Sequence, residues 1–102
     1  MAVTSEIVAQ GTLSDTVDTL RTGTGTEHHV FSFFNTHNAT VIVSIYVNGD
    51  THPVGSAELE ADDGDGGGFA TYECVLGSTD TLDAKADVDA VVEWTDEMDR
   101  LT

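Results

Sequence analysis

"ATVIVSIYVNGD", residues 39–50, decides the fold. Val41, Val43, Ile45 and Val47 fall on one face of an extended chain, with Ile42, Ser44, Tyr46 and Asn48 on the other. That is the two-residue period of a strand, not the longer period of a helix. The Asn48-Gly49 pair that follows is the strongest short hairpin signal, because the turn it favours needs a left-handed backbone at both positions. A return strand is therefore expected in "HPVGSAELE" (52–60), with Pro53 pushing it toward an edge or a strand start.

The pattern continues on both sides. "HHVFSFFNT" (28–36) is rich in aromatics and ends in the turn cluster "NTHN". "FATYECVL" (69–76) sets Ala70, Tyr72, Cys74 and Leu76 against Phe69, Thr71, Glu73 and Val75. "TLDAKAD" (81–87) turns Leu82, Ala84 and Ala86 inward and Asp83, Lys85 and Asp87 outward. "AVVEWTDE" (90–97) does likewise, with Val92 and Trp94 inward and Glu93 and Thr95 outward. Shorter strands are expected at "EIVAQ" (6–10) and "TVDTLRT" (16–22), while "GTGTE" (23–27) and "ADDGDGGG" (61–68) read as loops, the second a flexible one. "WTDEMDRLT" (94–102) allows a closing helical turn.

Seven or eight short strands with frequent turn signals predict an all-β fold, a single antiparallel β-sandwich or jelly-roll-like domain. Its expected divisions are an arm with short strands (1–26), a sandwich core (27–97) and a C-terminal tail (98–102), one domain overall. The 102 residues suffice for one hydrophobic core and not for two. No apolar run approaches the length of a membrane span. "MAVTSEIVAQ" has neither the basic nor the apolar region of a secretory signal. The single cysteine, Cys74, allows no internal disulfide.

Charge is the outlier. Nineteen Asp and Glu face Arg21, Lys85 and Arg100, for a formal charge of -16. On a folded surface of roughly 5,500 Å², that is about one uncompensated charge per 350 Å². Such a surface repels itself in dilute buffer. In molar salt the screening length falls to about 3 Å and the repulsion is muted. The composition therefore predicts a protein built for brine, its carboxylates coating the solvent face of half-buried strands. It also excludes nucleic acid and anionic membranes as partners, because no basic patch exists to meet them.

No residue set announces a reaction. His28 and His29 are adjacent on a strand and point to opposite faces, so they cannot chelate one ion; His37 and His52 lie near turns. These imidazoles read as surface or interface groups, and no metal or cofactor is expected. "DDGDGGG" fails as a calcium loop in both registers, leaving Asp62, Asp63 and Asp65 as a weak cation candidate. Cys74, on an apolar strand face with no cation beside it, reads as a small core residue rather than a nucleophile. The serines sit in no nucleophile-elbow context. "NAT" (38–40) is a glycosylation sequon in an expected turn. No catalytic function is expected.

"VFSFFNTHNATVIVSIYVNG" (30–49) together with "LGSTDTLDAKADVDAVVEW" (76–94) resembles small β-sandwich structural proteins of tailed viruses. The likeness spans residues 27–97, and the acidity makes the chain look like a version from a virus of halophilic archaea. The resemblance implies a non-enzymatic virion component, a capsid decoration or turret protein or a tail accessory. It further implies assembly in the host cytoplasm as a trimer or pentamer that contacts the major capsid protein. The "TVDTLRTGTGTE" stretch (16–27) departs from the Thr-Val-Pro lead-in of those proteins. Exposed loops suggest assembly contacts at Asn35, His37, Asn38, Asn48, His52 and Pro53. The competing class is a module that binds a host-surface glycan, for which Phe34, Tyr46, Tyr72 and Trp94 would form the aromatic platform.

Overall fold

The structure is a computed structural model that describes residues 3–25, 27–62, 64 and 67–101. Its strands are β1 (Val3–Thr12), β2 (Asp18–Thr22), β3 (Glu27–Asn35), β4 (Val41–Val47), β5 (Gly55–Leu59), β6 (Phe69–Leu76), β7 (Thr81–Ala86) and β8 (Val92–Leu101). They form two four-stranded antiparallel sheets, one ordered β1-β8-β3-β6 and the other β2-β7-β4-β5.

The pairing is nested. β1 joins β8, β2 joins β7, β3 joins β6 and β4 joins β5, as in one long hairpin folded on itself. Rolling that hairpin brings β3 against β8 and β4 against β7. This is the jelly roll, the arrangement in which two four-stranded sheets share one core.

The core follows from the alternation. Phe31 and Phe33 of β3, Val41, Val43 and Ile45 of β4, Leu82, Ala84 and Ala86 of β7, and Val92 of β8 are all buried between the sheets. Tyr72, Cys74 and Trp94 are half-buried against the same cluster. Ile7, Phe69 and Val75 face solvent at 63%, 62% and 61% exposure.

Several expectations change. β1 is twice as long as expected and pairs with β8 over its whole length, from Val3 opposite Leu101 to Thr12 opposite Glu93. The stretch expected as a tail or helical turn is strand as far as Leu101, because Met98 continues the inward series of Val92 and Trp94 and is buried. The return strand begins only at Gly55, since Asn48 and Gly49 turn with φ of 57° and 68° and the chain then loops through Pro53.

Gly67 and Gly68, expected in a flexible loop, are held in place. A Cβ on Gly67 would lie 1.9 Å from the Asn35 carbonyl oxygen, and one on Gly68 would lie 2.2 Å from the Glu60 nitrogen. The Gly68 carbonyl accepts the Asn35 N–H at 3.0 Å, and the Gly68 N–H bonds the Glu60 carbonyl at 2.9 Å. Only glycine permits so close a passage.

Candidate functional site

Two imidazole–carboxylate clusters occupy opposite faces of β3, one residue apart. Strand alternation puts His28 on the outer face of its sheet and His29 inside, as the sequence predicts. On the outer face, His28 Nδ1 lies 2.8 Å from Asp99 Oδ2 on β8, and Nε2 lies 2.5 Å from Glu73 Oε1 on β6. The ring thus bridges three strands. Hydrogen bonding to Asp99, then to Glu73, raises the His28 pKa above its ordinary value.

The inner cluster is buried. His29 Nδ1 lies 2.6 Å from Asp96 Oδ1 and Nε2 lies 2.7 Å from Glu27 Oε1. His29 and Asp96 are fully buried, which corrects both the surface reading of the histidines and the placing of every carboxylate outside. The His29 ring also stacks on Phe31, with centroids 5.7 Å apart. From the facing sheet, Arg21 Nη2 reaches both Glu27 oxygens at 3.4 Å, and the Thr24 hydroxyl donates to Glu27 Oε2 at 2.5 Å. Burial pushes the Glu27 pKa up, but Thr24, His29 and Arg21 outweigh it and hold the group at about 2.

Chemically the inner cluster is closed. Both ring nitrogens of His29 are spent on carboxylates, so the ring has no free base to offer Cys74. Burial, then the charge of Asp96, pushes the Cys74 thiol up to about 11, the opposite of an activated nucleophile. The oxygens flanking each ring lie on opposite sides of it, and no set of three ligands converges on a metal-sized point among the described residues. Asp96 Oδ2 and Arg21 Nε are buried without a hydrogen-bond partner.

A second buried carboxylate also contradicts the outward expectation. Asp83 accepts from the Thr19 hydroxyl at 2.7 Å, the Gly49 N–H at 3.0 Å and the Thr81 hydroxyl at 3.3 Å. It clamps the β4–β5 turn onto the outer face of its sheet, beside a buried Tyr46. No periodicity marks such a group. Its partner Thr19 lies opposite it on β2, a pairing that only the register reveals.

The expected assembly residues do not form one patch. Asn35, His37 and Asn38 lie at one end of β4, and Asn48, His52 and Pro53 at the other. Asn35 is no surface contact: it is fully buried. Its amide donates to the carbonyls of Ala39, Leu59 and Glu60, and its oxygen accepts the His37 N–H. Asn38, Asn48, His52 and Pro53 are exposed. In the weak cation candidate, Asp63 and Asp65 lie outside the described residues, and Asp62 Oδ1 accepts the Gly64 N–H. Of the expected aromatic platform, Tyr46 is buried, while Phe34, Tyr72 and Trp94 are half-buried on different strands. Where β1 meets β8, an open groove of about 330 Å³ is lined by Gln10, Gly11, Thr12, Glu93, Trp94 and Thr95.

No protein-family model matches the chain, and no curated protein matches it by sequence. Among solved structures it is similar to an exo-β-1,3-galactanase from Phanerochaete chrysosporium determined with galactose, at 16% identity over 94% of this chain and 26% of that one, with a TM-score of 0.44. It is also similar to the subunit of Bacillus endospore appendages, described as a family of disulfide-linked pili, at 14% identity over 98% of this chain and 88% of that one, with a TM-score of 0.52. At that identity the likeness is one of fold, shared along nearly the full length of both chains.

Proposed function

We propose that this protein is a non-enzymatic structural subunit that assembles with copies of itself on the surface of a tailed virus of halophilic archaea, as a capsid decoration or turret component. The observation that carries the reading is the surface of the β1-β8-β3-β6 sheet. Ile7 stands on one of its edge strands, Phe69 and Val75 on the other, each more than 60% exposed and together the three most exposed large apolar side chains among the described residues. Exposed apolar side chains beside unpaired strand edges are a liability unless another chain covers them.

Two further observations support it. The buried groups able to do chemistry are engaged with one another, as in a structural core. The formal charge of -16 permits like subunits to approach only where salt screens them. The fold likeness to an appendage subunit fits a self-assembling role, but disulfide linkage does not carry over. A chain of disulfide-joined subunits needs two cysteines per copy, and these 102 residues hold one, half-buried and with its thiol pushed up.

The test is the position of this chain's density on intact particles imaged in molar salt, followed by release from them as salt is lowered. A free monomer that never copurifies with particles overturns the proposal.

The groove beside Trp94 favours a second reading, a tail accessory or module that binds a host-surface glycan. Glycan binding that disappears in Gln10→Ala, with folding intact, would select it over decoration.

A further inference from the structure

The molecule has four edge strands, and three are blunted. β1 has a register shift between Ile7 and Ala9, β2 is five residues long with a shift between Thr19 and Arg21, and β5 is only five residues. Bulges and shortness are the ordinary defences against edge pairing. β6 has neither: it runs eight residues in unbroken register with β3, from Leu76 opposite Glu27 to Phe69 opposite Phe34. It contains no proline and no lysine, and one carboxylate, Glu73, of the nineteen acidic residues in the chain.

Resting on the self-assembly reading, we infer that β6 pairs antiparallel with β6 of a second copy about a two-fold axis through Tyr72. The strand is self-complementary about that residue. Directly opposed residues on antiparallel strands share a face, so an axis between two residues would set inward side chains against outward ones. Centred on Tyr72, the outer face pairs Phe69 with Val75 and Thr71 with Glu73, each twice. The inner face pairs Ala70 with Cys74, and Tyr72 meets its copy. Aromatic–β-branched pairs of the Phe–Val kind favour the ladder. The two most exposed apolar residues of the strand, at 62% and 61%, cover one another. Moving the axis to Glu73 would oppose two carboxylates, and moving it to Thr71 would set Glu73 against Phe69.

Neighbouring charge permits the contact, since His28 stands 2.5 Å from Glu73. Tyr72 lies over Gly55 of the facing sheet, where a Cβ would be 3.6 Å from its ring, leaving the strand edge itself open. The product is a continuous eight-stranded sheet made from two four-stranded ones. It is a two-fold dimer, not the threefold or fivefold ring that the resemblance implies.

Sedimentation equilibrium of the full chain, at the lowest salt that keeps it folded, tests this with Thr71→Lys and Thr71→Glu. Position 71 is exposed and faces Glu73 of the second copy, so both variants keep the fold. Lysine should tighten the dimer and glutamate should weaken it, each by about 2- to 30-fold in Kd, the range for two cross-strand pairs. Separately, Tyr72→Cys in a Cys74→Ala background should oxidise to a covalent dimer, since residues on the axis approach within disulfide range, whereas Cys74 of the parent chain should not cross-link. An oligomer indifferent to both Thr71 variants, and without cross-linking at residue 72, overturns the β6 contact and leaves self-assembly standing. A monomer at every salt and concentration overturns both.

Discussion

His29 Nδ1 and Asp96 Oδ1 lie 2.6 Å apart with both side chains withdrawn from solvent, a polar pair set between the sheets beside Phe31. Breaking such a pair leaves one group buried alone. Asp96→Ala should destabilise the fold by about 3–5 kcal/mol. The double variant His29→Leu/Asp96→Leu should cost less than Asp96→Ala, because it removes both groups and leaves apolar volume. Urea unfolding at fixed sodium chloride measures both; equal losses would refute the argument.

The two clusters on β3 give opposite pH responses. Glu27 is held at about 2 against an ordinary 4.5, so its contribution is present above the ordinary value and is lost as pH falls toward 2. That contribution is on the order of 2–3 kcal/mol at neutral pH. His28 is raised, so its contribution is full below 6.5 and is lost as pH climbs through its folded value. Thermal melts across pH in constant salt should show a plateau with both shoulders. Glu27→Gln should remove the acid shoulder and His28→Gln the alkaline one.

The strand pattern was legible because alternation states itself in "VIVSIYV" and "FATYECVL", where every inward residue of the second is less exposed than its outward neighbours. The opposed placement of His28 and His29 follows from the same rule. The inner cluster was not legible. Asp96 and Glu27 look like more of the acid coat, and their burial depends on which strands become neighbours, a long-range fact that no local period carries. Asn35 misled for a related reason: turn-favouring residues are usually wet, yet this one spends its amide on the carbonyls of Ala39, in the turn that follows, and of Leu59 and Glu60 at the end of β5.

Asp83 tests the clamp on the β4–β5 turn. Asp83→Ala strands the Gly49 N–H and two hydroxyls, and should cost about 1–3 kcal/mol. Asp83→Asn keeps an acceptor and should cost less. Amide exchange at Gly49 should quicken in the alanine variant, and unchanged exchange there would show that the turn is held by other contacts.

Gly67 tests the close passage beneath Asn35. Gly67→Ala places a methyl 1.9 Å from the Asn35 carbonyl oxygen, so backbone must shift and the melting temperature should fall by several degrees. Gly64→Ala meets no atom within 4 Å, and its positive φ of 101° isolates the cost of backbone conformation alone. A Gly67→Ala variant no less stable than Gly64→Ala would remove the steric explanation.

The concentric pairing, with Val3 opposite Leu101, sets the order in which the molecule can be made. Only the innermost hairpin, β4 with β5, can close early; the outermost ladder must wait until β8 has left the ribosome. Through most of its synthesis the polypeptide carries an unfinished core, and a long loop-closure search precedes the last ladder. Over that interval Phe31 and Phe33 of β3 wait for β8, the late neighbour that completes their sheet.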